Sequence, residues 1–122
     1  MQSYFVSPPA ETDWHIDPED FAARLRARWP DAEVRRVSNP MRTDTLDFVL
    51  HDVGGERVDG HLDEHGRAVV LEGSPRAAAE VAAWFRTQVP PSQPLIFFDE
   101  GYTASVDLTQ GLDPSELVAP FV

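Results

Sequence analysis

The chain contains no cysteine and no lysine; all ten of its basic residues are arginine. Without cysteine there is no disulfide framework, no thiolate zinc site and no cysteine nucleophile. Against those ten basic residues stand 21 acidic ones, for a formal net charge of −11. A chain so short of positive charge lacks the basic face that displaces counterions from a nucleic-acid backbone, so binding of that kind is excluded. No apolar run approaches the roughly 18 residues of a membrane span. The opening stretch "MQSYFVSPPAETDW" has no basic segment leading into a long apolar one, so no secretory signal is visible. A cytoplasmic protein with no membrane contact is expected.

Glycine-dependent chemistry is missing as well. The sequence has no G-x-x-x-x-G-K-[ST] loop, no G-x-G-x-x-G turn and no G-x-S-x-G nucleophile elbow. "EGSPR" places Ser74 at a helix start, where capping accounts for it. "DGHLDEHG" fails as a calcium loop because Glu64 stands where the tight turn needs glycine.

What is present is a globular composition, 122 residues with 42% hydrophobic and 25% charged. That is enough for one domain with its own core and no stabilising metal or cofactor. Helix signals occur three times in the same form. Asp17-Pro18, Ser74-Pro75 and Asp113-Pro114 each pair a capping side chain with proline at the first helical position. The first helix shows an apolar stripe of Phe21, Leu25 and Trp29, with Ile16 placed to staple onto Phe21. The second buries Ala78, Val81, Ala82 and Phe85; in the short third, Glu116 suits a capping box and Leu112 a staple to Leu117.

Between the first two helices the sequence alternates as strands do. "EVRRV" is a short strand followed by a turn at "NP" (39–40). "TLDFVLHD" and "ERVDGHLD" read as a hairpin closed by Val53-Gly54-Gly55, with Gly55 left-handed. That register sets Leu50 opposite Val58, Leu46 opposite Leu62 and Asp47 opposite His61. "RAVVLEG" follows as another strand. "PLIFFDEGYTASVDL" predicts a second hairpin, with Leu95–Phe98 covered on both faces, Gly101 left-handed, and alternation from Tyr102 to Leu108. Residues 1–14 read as an extended N-terminal arm. The expected fold is a single α+β domain in the order α-β-β-β-(β)-α-β-β-α. Its antiparallel sheet would have about five or six strands, with helices packed on one face.

Three groups of residues carry possible chemistry. "HLDEH" (61–65) has the H-x-x-E-H order of inverted zincins, in which the two histidines share a helix face. Here Gly60 and Gly66 flank the motif between strands, so His61 points from a strand and His65 sits in a turn. Glu72 or Glu80 would have to be recruited as a third ligand, and no metal site is assigned. His61 opposite Asp47, with Asp59 and Asp63 on the same side, can form a cross-strand ion pair, or a weak metal or hydrolase site. Asp99 and Glu100 form an acid pair at a hairpin tip, where they are expected to splay into water rather than serve as general acid and base. Trp29, Trp84, Phe85, Phe97 and Phe98 are assigned to core packing. His15 and His51 have no assignable role.

The element order resembles that of type III secretion chaperones, which are also small, acidic and non-catalytic. In outline it is similar to several small immunity proteins that neutralise toxins. Topology and charge carry both resemblances, which transfer no individual residue. They imply a non-enzymatic acidic module that binds another, basic protein, with no catalytic residue. Asp52, Glu56, Asp59, Asp63, Glu64, Asp99 and Glu100 are the expected partner-binding residues, placed at turns or on the outer sheet face. The alternatives are a small metal-binding protein or hydrolase using His61 and Asp47, and an accessory, oligomer-forming subunit without ligand.

Overall fold

The computed structural model describes residues 2–36 and 44–121. Seven strands form one antiparallel sheet: β1 (Ser3–Ser7), β2 (Glu33–Arg36), β3 (Asp44–Val53), β4 (Glu56–Asp63), β5 (Val69–Glu72), β6 (Ile96–Asp99) and β7 (Ser105–Asp107). Their spatial order is β2-β3-β4-β5-β1-β6-β7. Helices α1 (Pro18–Arg28), α2 (Pro75–Thr87) and α3 (Pro114–Val118) complete an α+β fold, and a 3-10 turn (Ala119–Phe121) follows α3. No described helix is long and apolar enough to cross a membrane. The expected turn at residues 39–40 lies outside the described residues.

The predicted capping side chains are in place at all three helix starts. Asp17 Oδ2 accepts from the Glu19 and Asp20 amides at 3.0 and 3.2 Å, Ser74 Oγ from Ala77 at 3.2 Å, and Asp113 Oδ1 from Ser115 at 2.9 Å. Each bond satisfies an amide that the first helical turn leaves without a partner. Ile16 and Phe21 are both buried around the first cap. Along α2, Ala77, Ala78, Ala79 and Ala82 are buried, and their small side chains let the helix backbone approach the sheet closely.

The helices cover one face. Phe21 of α1 meets Phe48 at 5.6 Å and Phe85 of α2 at 6.1 Å, and Phe121 packs on Tyr4 and Phe97 at 5.5 and 5.3 Å. Strand alternation then sends the other set of side chains to the opposite face. In register across all seven strands, that row reads Arg35, Asp47, His61, Val70, Phe5, Phe98 and Ser105.

Three expectations are corrected. Residues 1–14 are not simply an arm: Ser3–Ser7 is an inner strand between β5 and β6, with Tyr4 and Val6 fully buried. "YFV" is an apolar run of only three residues, and both strand partners are remote in sequence. The β3–β4 register is as expected, yet its loop is the pair Gly54 and Gly55, both at positive φ (62° and 89°). Two positive values suit the twist of a two-residue hairpin. In the β6–β7 connection Gly101 is not left-handed; Tyr102 is, at φ 54°. The expected strand from Tyr102 shortens to Ser105–Asp107 because the intervening backbone folds onto the Asp99 carboxylate.

Candidate functional site

The open face divides into a charged half on β2–β4 and an aromatic half on β1, β6 and the β6–β7 turn. In the charged half His61 Nδ1 lies 2.8 Å from Asp47 Oδ1, the cross-strand pair that the register predicts. Asp47 also accepts from Arg35 at 3.2 Å. His61 Nε2 lies 3.6 Å from Glu72 Oε1, a carboxylate supplied by β5, while Asp59 is engaged by Arg57 at 2.7 Å. That hydrogen bond raises the Arg57 guanidinium further above its ordinary value. His65 sits in the turn after β4, 3.3 Å from Glu64. The H-x-x-E-H segment therefore lies on a strand end and a turn, and its two imidazoles meet different acids. Among the described residues no group of three or more His, Asp or Glu is arranged to hold a metal ion. His51, without a role in the sequence, contacts Glu33 of β2.

The seven acidic residues expected to bind a partner do not form one patch. Asp52, Glu56, Asp59 and Glu100 stand toward the end of the sheet that carries the Gly54-Gly55 loop. The chain of pairs Asp59–Glu72–Ser3, with the Glu100 amide on Ser3 O, sets this placement. Glu56 is engaged by Arg76 at 3.0 Å, and Asp52 caps the loop through the Gly55 amide at 2.7 Å. Asp63 and Glu64 lie at the opposite end of β4, where Asp63 Oδ1 accepts from the Arg67 and Ala68 amides at 2.7 and 3.1 Å.

Asp99 leaves the set altogether. It is 2% exposed and is on the helix-covered face, opposite Tyr4. The Thr103 hydroxyl donates to Oδ2, the Thr103 amide donates to Oδ1 at 2.8 Å, and Gln2 Nε2 donates to Oδ2 at 3.2 Å. The Thr103 hydroxyl and the Thr103 and Ala104 amides hold its pKa below the usual carboxylate value, against the opposing effect of burial. Burial, helped by the Asp99 charge, pushes the Tyr4 phenol up. Asp99 and Glu100 thus do not splay together into water: one is an internal acceptor and the other is exposed.

The sequence assigns Phe98 to the core, Tyr102 to strand alternation, and Phe5, with Tyr4 and Trp14, to a fallback apolar interface on the N-terminal arm; the structure brings Phe5, Phe98 and Tyr102 together on the open face. Phe5 stacks on Phe98 at 5.3 Å and 13°, and Phe98 meets Tyr102 at 4.7 Å and 31°. Leu95–Phe98 is therefore not covered on both faces, since Ile96 and Phe98 stay half-buried while Phe97 is fully buried. Burial parity within "LIFF" was the available signal, hidden by its being apolar throughout.

Behind the sheet edge, a cavity of about 470 Å³ is lined by Pro9, Pro94, Leu108 and the buried Arg86. Its guanidinium is committed to the fold. Nη1 donates to Gln93 O and Leu108 O at 2.8 and 3.3 Å, and Nη2 to Val89 O and Pro90 O at 3.2 and 2.5 Å. Burial pulls its pKa down from the ordinary arginine value.

Comparison of this chain with protein-family models, with curated proteins and with solved structures finds no match.

Proposed function

We propose that this chain is a non-enzymatic, acidic module that binds a basic protein partner across the open face of its sheet, in the manner of a secretion chaperone or an immunity protein. The observation that supports this is the bare face itself. All described helices lie on the other side, and the bare side offers half-buried apolar rings beside Glu72, Asp59 and Asp107. Apolar side chains edged by acids on the open face of a protein with a net charge of −11 suit a cationic partner.

The test is affinity capture from the native cell, identification of the retained protein, and measurement of its association rate. That rate should fall at least about tenfold as salt rises to roughly 0.5 M, where screening shortens the reach of charges to about 4 Å. It should fall similarly when Asp59, Glu72 and Glu100 are replaced by Asn or Gln. A partner whose association ignores both changes would reduce the acidity to a solubility device.

A function of a different class rests on His61 and Asp47. A carboxylate 2.8 Å from Nδ1 orients an imidazole as metal ligands and general bases are oriented. Calorimetric titration of zinc into the wild-type protein and His61→Gln separates the two classes. Micromolar binding that the substitution abolishes would favour the metal-binding protein or hydrolase.

A further inference from the structure

We propose that Tyr102, backed by Phe98 and Phe5, is the anchor for an extended segment that turns both arginine or lysine and apolar side chains toward the sheet. This rests on the module reading above and names its contact chemistry.

Tyr102 is the exposed large hydrophobic residue of the described structure, 58% exposed, and it occupies the left-handed backbone region at φ 54°. That conformation is unfavourable for residues other than glycine, asparagine and aspartate, and for a tyrosine it persists only where the surroundings fix it. They do so here: the Tyr102 amide donates to Asp99 O at 2.9 Å, and Asp99 Oδ1 accepts from the Thr103 amide at 2.8 Å and the Ala104 amide at 3.4 Å. Gly101, immediately before it, takes no positive φ. The turn thus assigns its strained position to an aromatic ring, although a glycine is one residue away. The ring lies against Phe98, extending the stack that begins at Phe5.

Charge selects the occupant. Strands β5, β1, β6 and β7 contain no basic residue, and the chain has none after Arg86. Across β5–β1, Glu72 is diagonal to Phe5; across β6–β7, Asp107 is diagonal to Phe98; Glu100 is exposed in the same turn as Tyr102. Rings flanked by carboxylates, on strands that carry no basic residue, match guanidinium or ammonium groups, which stack on the ring faces and pair with the acids. The apolar side chains that face the sheet between those cations, two residues from each, would cover Phe5 and Val70, since every second side chain of an extended segment points the same way. A second copy of this chain fits poorly, because it would bring Glu72, Glu100 and Asp107 of both copies to one interface.

The probe is a fluorescently labelled peptide of about nine residues in which arginine and leucine take turns at every second position with serine between them, read by anisotropy, with the same peptide carrying glutamate for arginine as control. The wild-type protein should bind the first and not the second. Tyr102→Gly and Tyr102→Asn, which remove the ring and suit the left-handed backbone, should weaken binding at least about tenfold while the thermal midpoint stays level or rises. A purely structural tyrosine would instead lower the midpoint in both variants. Absence of wild-type binding, equal binding of the two peptides, or unchanged binding by both variants each overturns the proposal. So does a sedimenting dimer that Tyr102→Gly dissociates, which would assign the face to a second copy. Failure here with a salt-sensitive natural partner still retained would remove the anchor and leave the module.

Discussion

Gly60 lies opposite Phe48 in the β3–β4 ladder, and a Cβ built on Gly60 would fall 2.2 Å from the Phe48 ring. The glycine is therefore the floor on which a core phenylalanine rests. Phe48 is 2% exposed and held from above by Phe21, so it has little room to withdraw. Gly60→Ala should destabilise by about 2 kcal/mol through overpacking, measured by urea unfolding. Adding Phe48→Leu should recover part of that loss; strictly additive effects would mean that the two sites are not in contact.

Arg86 ties the loop after α2, through the carbonyls of Val89, Pro90 and Gln93, to Leu108 O beyond β7. Arg86→Met removes a donor from each carbonyl, although the Gln93 amide still serves Pro90 O and Gln110 Nε2 still serves Val89 O, and should cost about 2–4 kcal/mol. Arg86→Lys should recover less than half, since an ammonium cannot reproduce the planar fork. Chemical denaturation of both variants checks the order, and a neutral Arg86→Met would show that water replaces the guanidinium without loss.

Asp99 supplies a pH dependence of known sign. Its folded pKa lies below the usual carboxylate value, so the unfolded chain binds the proton more readily. The stabilisation is complete above the unfolded value of about 3.9 and is lost as pH falls through the folded one. Urea midpoints should drop in that acid window for the wild-type protein. Asp99→Asn should drop less steeply there, and parallel curves would assign acid sensitivity to other carboxylates.

Two glycines should respond in opposite ways. Gly101 has ordinary φ, and its Cβ would meet nothing nearer than Thr103 Cγ2 at 3.5 Å, so Gly101→Ala should change stability by less than about 0.5 kcal/mol. Gly66, immediately after the histidine motif, has φ 67°, and a Cβ there would lie 2.4 Å from Ile16 O. Gly66→Ala should cost about 2 kcal/mol or more. Thermal midpoints distinguish the pair, and equal shifts would mean that the turns are misplaced.

The local part of the fold was written in the sequence. Caps at Asp17, Ser74 and Asp113, the stripe of α1 and the Leu46–Leu62 register all depend on neighbours within a turn or a hairpin, where spacing alone fixes which groups can meet. The Asp47–His61 pair followed from that register. Tertiary structure alone decided the remainder. It inserted Ser3–Ser7 between strands remote in the chain, turned Asp99 inward to serve three amides and a hydroxyl, and thereby moved the left-handed residue from Gly101 to Tyr102. It also placed Phe5 beside Phe98. Such outcomes depend on which distant groups need a partner once the core closes, and sequence spacing carries no record of that competition.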